Sequence, residues 1–245
     1  MAENTRFGFG LGLGAALVLA LGIAIAGLVI GQGLERFRMA DRTVTVKGLA
    51  EKDVESDFAV WTLGFRRGGV DFGAVQRALA EDRDRVVEFL KKQGFTEAEV
   101  EIRPLQVQDL WARDYGGSNP PLRFQGTGQV LVKSAKPLAV EAAALAVDPL
   151  IQAGVQLGAN DGPAGPRYQL RGFNEVKAPL LAEATRNARE QAQKFAADAG
   201  AKLGELRSAN QGVIQIGGAG GEGYDDGSAR VKRLRVVSTF SWVLD

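Results

Sequence analysis

The chain has 245 residues, contains neither cysteine nor histidine, and carries a formal net charge of +1 from 30 basic and 29 acidic side chains. Without cysteine and histidine, a Ser-His-Asp triad, a cysteine nucleophile, a Cys/His zinc site and disulfide bonds are all excluded. Any general base must therefore be a carboxylate or a lysine with a shifted pKa. The balanced charge gives no electrostatic reason to expect nucleic acid as a partner.

The first predicted element is an apolar segment from Phe7 to Leu34, which contains no charged residue. A helix needs about 20 apolar residues to cross a bilayer. The segment therefore predicts a transmembrane signal anchor over residues 1–34, with a charged linker over residues 35–42. The alternative is a cleaved signal peptide, because Ala24-Ile25-Ala26 has the small-x-small pattern of a cleavage site. The arginines of the linker favour a cytoplasmic location for the domain after it, although large domains are exported against this bias.

Residues 43–245 are predicted to form one α+β domain with a mainly antiparallel sheet. Strand-strand-helix units recur along the chain, with three main helices in total. Alternating and β-branched segments predict strands at residues 43–48, 56–66, 99–107, 123–133, 155–157, 168–173, 211–216 and 231–244. Helices are predicted from Asp71 to Gln93, from Pro137 to near Gly154 with a break or kink at Pro149, and from Asn174 to Ala199.

The apolar spacing also predicts which side chains face the core. In the first helix these are Val75, Leu79, Val86 and Leu90; in the second, Leu138, Leu145 and Ile151. In the third they are Val176, Leu180, Ala184, Ala188, Ala192, Phe195 and Ala199; in the last strand, Leu234, Val236, Phe240, Trp242 and Leu244.

A glycine-rich stretch from Gly218 to Gly223 has the G-x-G-x-x-G spacing of a phosphate-binding loop. That motif requires a helix N-terminus directly after it. Here the chain is predicted to continue into a strand, so a hairpin loop is favoured over a nucleotide site. The same loop carries Glu222, Asp225 and Asp226, which leaves a calcium site or an acid–base pair open as alternatives to a solvated acidic loop.

Two further charged runs are candidate sites. Alternating carboxylates at Glu51, Asp53, Glu55 and Asp57 offer acid–base chemistry if a pKa is raised, or otherwise a polar strand edge. A basic cluster of Arg230, Lys232, Arg233 and Arg235 is expected on an exposed sheet face, where it fits an acidic partner or anionic lipid better than nucleic acid.

The three tryptophans lie in or beside predicted strands. Trp61 and Trp242 are expected in the core. Trp111 borders a loop, where it is either core or an exposed contact surface.

Three segments together resemble the SIMPL-domain family. They are the strand from Val44 to Glu51 followed by Ser56-Asp57, the helix from Ala184 to Ala196 with Gly200 and Gly204 after it, and the closing strand from Val231 to Leu244. The resemblance implies an exported cell-envelope domain, often periplasmic, with an α+β fold and ring-like homo-oligomers, in some members linked to oxidative stress. It implies no catalytic residue, cofactor or metal.

We therefore expect a non-enzymatic protein with no catalytic, cofactor-binding or metal-binding residues. It is expected in the bacterial inner membrane as a single-pass protein with its C-terminal domain in the periplasm. The expected role is that of an envelope scaffold or a stress-related binding protein. Expected partners are further copies of the chain, the membrane through residues 7–34 and an envelope protein, but no nucleic acid. The alternatives are a ligand- or metal-binding module on the glycine-rich loop and a carboxylate-based enzyme using Asp57 or the Asp225/Asp226 pair.

Overall fold

The structure confirms the predicted α+β fold, with antiparallel strand pairing in both sheets. A computed structural model of the chain describes residues 19–31, 42–112, 120–158, 165–220 and 225–245. The strands are β1 (Thr43–Glu55), β2 (Phe58–Gly69), β3 (Val100–Ile102), β4 (Gln106–Asp109), β5 (Phe124–Ser134), β6 (Arg167–Gln169), β7 (Leu203–Asn210), β8 (Ile214–Gly218) and β9 (Val231–Leu244). The helices are α1 (residues 19–31), α2 (Phe72–Lys92), α3 (Pro137–Leu145), α4 (Asp148–Gln152) and α5 (Phe173–Asp198).

The chain divides into two compact units, and β1, β9 and α5 contribute residues to both. The terminal unit comprises Met1–Ala50, Leu181–Val213 and Val236–Asp245, and the central unit comprises Glu51–Leu180 and Ile214–Arg235. Four strands form one sheet in the order β1-β9-β7, with β8 also paired to β9. Five form the other in the order β3-β5-β2-β6, with β4 also paired to β5.

The core of the central unit lies between the five-stranded sheet and the helices on one of its faces. Strand β2 places Trp61, Leu63 and Phe65 on that face, because alternate residues of a strand point the same way. Helix α2 begins at its N-cap Asp71, whose carboxylate accepts the backbone N–H of Ala74 at 2.6 Å. All four of the α2 side chains predicted to face inward, Val75, Leu79, Val86 and Leu90, are buried.

In the terminal unit, α5 packs closely on β1. Ala184, Ala188 and Ala192 are buried, as predicted. Leu180, which belongs to the part of α5 in the central unit, is also buried as predicted. A Cβ built on Gly48 would overlap the backbone oxygen of Ala184, so this strand position admits no side chain. The small residues on both elements therefore set the distance between helix and strand.

The predicted second helix is wrong in both its extent and its inward face. Instead of one kinked helix, α3 ends at Leu145 and α4 begins at Asp148, with Pro149 in its first turn, where proline is favoured. Leu138, Leu145 and Ile151 are exposed, whereas Val140, Ala143 and Leu150 are buried. Apart from Glu141, every residue of α3 is apolar, so the sequence offers almost no polar face to fix the inward direction.

Other differences concern strand boundaries and the end of α5. The strand predicted over residues 99–107 is divided at Pro104 into β3 and β4, and residues 155–157 form only an isolated bridge between Leu157 and Phe65. The predicted strand over residues 168–173 ends at Gln169, and Phe173 already starts α5. In α5, Ala196 is buried in place of the predicted Phe195, and Ala199 is also exposed. Strand β7 was not predicted.

The predicted membrane anchor lies largely outside the described residues. The described part, α1, is helical and its side chains are exposed. Within the part of the chain that the structure describes, no helix has the length and apolar character needed to cross a membrane.

Candidate functional site: the charged cluster of β1 and β9

The carboxylates of β1 and the arginines at the start of β9 pair with each other across the two strands. Asp53 receives two hydrogen bonds from the Arg233 guanidinium, at 2.7 and 2.8 Å. Glu51 lies 3.2 Å from Arg235. The antiparallel arrangement brings the two alternating charged runs opposite each other, so each neutralises the other.

The third pair extends the cluster to a residue that sequence reasoning did not single out. Arg230 lies 3.1 Å from Glu55 and 3.0 Å from Glu141 of α3. Burial, and next the charge of Glu141, raise the pKa of the nearby Tyr168 phenol. Glu141 had no recognisable signal, because it lies on a helix 89 positions before Arg230.

The ion pair with Arg233 lowers rather than raises the pKa of Asp53. The hydrogen bond from Arg233 holds the pKa of Asp53 below its ordinary value, and the same bond raises the pKa of Arg233. The hydrogen bond to Glu55 likewise raises the pKa of Arg230. A carboxylate with a lowered pKa is a poor proton acceptor at neutral pH. Asp53 therefore does not provide the raised pKa that acid–base chemistry requires.

Lys232 does not belong to the exposed basic cluster in which it was predicted. Its side chain is 1% exposed, and its Nζ donates to the Asp225 carboxylate at 2.5 Å. Lys232 lies on the same face of β9 as Leu234 and Val236, which are both fully buried. The two-residue period of a strand therefore placed Lys232 inside, and the charge of its side chain misled the prediction.

Asp225 and Asp226 hold the turn that leads into β9. Asp225 also accepts the backbone N–H of Gly227 at 2.9 Å. Asp226 accepts the Ser228 backbone N–H at 2.8 Å and its hydroxyl at 2.6 Å, and these bonds lower its pKa. The two carboxylates thus bond to different groups. Glu222 lies outside the described residues, and the described ones contain no group of three or more acidic side chains arranged to hold a metal ion.

Asp57 fixes the turn before α5. Its two carboxylate oxygens accept the backbone N–H groups of Arg171 at 2.7 Å and Gly172 at 2.6 Å. Burial alone would raise the pKa of Asp57, but these two hydrogen bonds bring it below its ordinary value. The guanidinium of Arg171 also stacks on the Phe58 ring. Asp57 is thus bonded to backbone on both oxygens.

The glycine-rich stretch is followed by a strand. Strand β8 ends at Gly218, residues 221–224 lie outside the described part, and the chain from Asp225 runs into β9. The helix N-terminus that a phosphate-binding loop needs does not follow in residues 225–245.

Two of the three tryptophans are core residues. Trp61 and Trp242 are buried as predicted. Trp111 is 44% exposed, its indole N–H donates to the Pro120 carbonyl at 3.1 Å, and the Arg123 guanidinium lies 5.3 Å from its ring centre. It therefore forms part of the surface.

A sequence model of the SIMPL family, described as a protein of unknown function (DUF541), matches residues 44–235. No curated protein matches the chain.

Proposed function

The chain belongs to the SIMPL family, and from this premise we propose that it is a non-enzymatic, membrane-anchored periplasmic protein that self-associates. Its role is that of an envelope scaffold or a stress-related binding protein, with an envelope protein as a further partner. It resides in the bacterial inner membrane with a single span and its C-terminal domain outside the cytoplasm.

The non-enzymatic role is supported by the contacts of the candidate carboxylates. Asp53 is paired with an arginine, Asp57 binds backbone N–H groups, and Asp226 closes a turn. All three have lowered pKa values. The chain also contains no histidine or cysteine to take the place of a carboxylate in proton transfer or nucleophilic attack.

Self-association is supported by one observation above all, the open edge at β7. In the order of the described strands, β7 is paired with β9 on one side and ends the sheet on the other. Its residues are exposed from Glu205 to Asn210. Leu206 is 51% exposed and Val213, just after the strand, is 84% exposed. An edge strand with apolar side chains is a template for pairing with another chain.

The proposed membrane anchor is supported by the amino-acid sequence. No charge interrupts the run from Phe7 to Leu34, which exceeds the length needed to span a bilayer. The family resemblance favours export of the domain after it. That inference is preferred to the orientation given by the linker arginines, because a large domain can cross a membrane regardless of such charges.

Protease accessibility tests the location. In spheroplasts, externally added protease is expected to digest residues 43–245, while a cytoplasmic marker protein stays intact. Protection of the domain until the membrane is dissolved would contradict the periplasmic location.

Size-exclusion chromatography with light scattering tests self-association. The full chain in a mild detergent is expected to form homo-oligomers. Leu206→Lys, which places a charge on the β7 edge, is expected to shift the population towards monomers. Leu145→Lys is the matched control, because Leu145 is a leucine of α3 with 82% exposure. A wild-type protein that is monomeric at every concentration would refute the proposal.

A further inference from the structure

An apolar cavity lies between the five-stranded sheet and the α3–α4 pair of the central unit. Its volume is about 320 Å³. Trp61 and Leu63 of β2 line one side, Ala144, Val147 and Ile151 of the helices line the other, and Leu157 also contributes.

The break between the two helices and the small residues around it create this space. Helix α3 stops at Leu145 and α4 starts at Asp148. The adjoining helix residue facing the cavity is Ala144, and the strand and loop positions Gly64 and Gly158 have no side chains. Larger residues at these positions would close the gap, as happens elsewhere in close-packed interiors.

The lining selects the chemistry of a ligand. Two other cavities of the central unit are both lined by arginine. Arg103 lines the one of about 330 Å³, and Arg66 and Arg67 line the one of about 260 Å³. The α3–α4 cavity has no charged side chain among its described lining residues. A charged ligand entering it would lose hydration without gaining an opposite charge.

We propose that the α3–α4 cavity binds an uncharged small molecule of largely hydrocarbon character. Its volume falls in the range of small-molecule sites, which are mostly apolar with few polar groups. Ile151 lies at the mouth, since it lines the cavity and is still 55% exposed. This inference depends neither on membrane anchoring nor on self-association.

A fluorescence titration with the uncharged probe 1-N-phenylnaphthylamine tests the proposal. The full chain in a mild detergent is expected to give a saturable rise in probe fluorescence. Ile151→Asp places a carboxylate at the mouth and is expected to weaken binding about tenfold or more. Leu145→Asp is the matched control, because it adds the same charge to an exposed leucine outside the lining. Detergent takes up the probe equally in all samples, so the comparison isolates the cavity.

A second variant fills the space directly. Ala144→Phe is expected to abolish the saturable signal, and circular dichroism checks that the variant is folded. The proposal is overturned if the wild-type protein gives no saturable signal, or if Ile151→Asp and Leu145→Asp bind the probe equally. If the wild-type protein binds the probe only after dilution, a side chain of a second copy fills the cavity in the oligomer, and the proposal is likewise overturned.

Discussion

Removing the carboxylate of Asp225 is expected to destabilise the protein far more than removing the amine of Lys232, although Asp225 is the more exposed partner. The two side chains are 22% and 1% exposed, and 2.5 Å separates Nζ from the carboxylate oxygen. Asp225→Ala leaves the lysine charge buried without this partner. Lys232→Met removes the charge and keeps a side chain of similar length in the core.

The magnitudes follow from the cost of an unpaired buried charge. Breaking a buried ion pair from one side costs about 3–5 kcal/mol. We therefore expect Asp225→Ala to lower the free energy of unfolding by about 4 kcal/mol. Lys232→Met should cost about 1 kcal/mol, because Asp225 keeps its hydrogen bond from Gly227 at 2.9 Å.

Equilibrium urea unfolding of the full chain at pH 7, followed by tryptophan fluorescence, measures both changes. The double variant Lys232→Met/Asp225→Ala should recover most of the loss, to within about 1 kcal/mol of the wild-type protein. If Asp225→Ala costs no more than Lys232→Met, the buried charge does not need its partner and the reasoning is refuted.

Three further changes test other contacts. Gly48→Ala should lower the free energy of unfolding by about 3 kcal/mol, since its Cβ has no room against α5. Asp57→Asn should cost about 1 kcal/mol above about pH 4, and the difference should shrink at lower pH. This sign follows because the folded pKa of Asp57 is lowered, so its stabilisation is lost as pH falls through that value. Asp53→Arg should lower the melting temperature, and the reciprocal Arg233→Asp should restore it, because the charges face each other across the strands.

For each of these three changes, a control or a contrary result tests the reasoning. Gly220→Ala should be nearly neutral in the same urea experiment, because a Cβ there meets no atom within 4 Å. Equal effects of Gly48→Ala and Gly220→Ala would disprove the close approach of helix and strand. A pH-independent effect of Asp57→Asn would show that the carboxylate charge contributes nothing. A swapped Asp53/Arg233 pair no more stable than its single variants would show that the two side chains do not interact.

Hydrophobic periodicity predicted most of the helices and strands that have one polar and one apolar face. Strand β9 and the inward face of α2 were recovered because their apolar residues recur at the periods of a strand and a helix. In α5 the buried residues recur every four positions from Leu180 to Ala196. The prediction followed that spacing as far as Ala192 and then moved three positions to the larger apolar residue, Phe195, which is exposed. The inward face of α3 was predicted wrongly because a helix whose single polar residue is Glu141 carries almost no directional signal.

The two charged runs of the candidate site were recognised in the sequence, but their pairing was not predicted. Both charged runs, at Glu51–Glu55 and at Arg230–Arg235, were visible in the sequence. Their pairing depends on a strand register that joins Asp53 to Arg233, which are 180 positions apart. Local pattern carries no information on such a contact. The burial of Lys232 could have been predicted from its position, because alternate residues of a strand share a face and Lys232 shares the face of Leu234 and Val236.

The pairing of the first strand with the last also has a consequence for the order of events during synthesis. Contacts between β1 and β9 join residues 180 and 196 positions apart. Strand β9 lies between β1 and β7, so that sheet cannot assemble until β9 has left the ribosome. Contacts of such high sequence separation form slowly. The growing chain therefore lacks its four-stranded sheet until the last strand has been synthesised, whereas the strands of the five-stranded sheet are all present once Gln169 has been added.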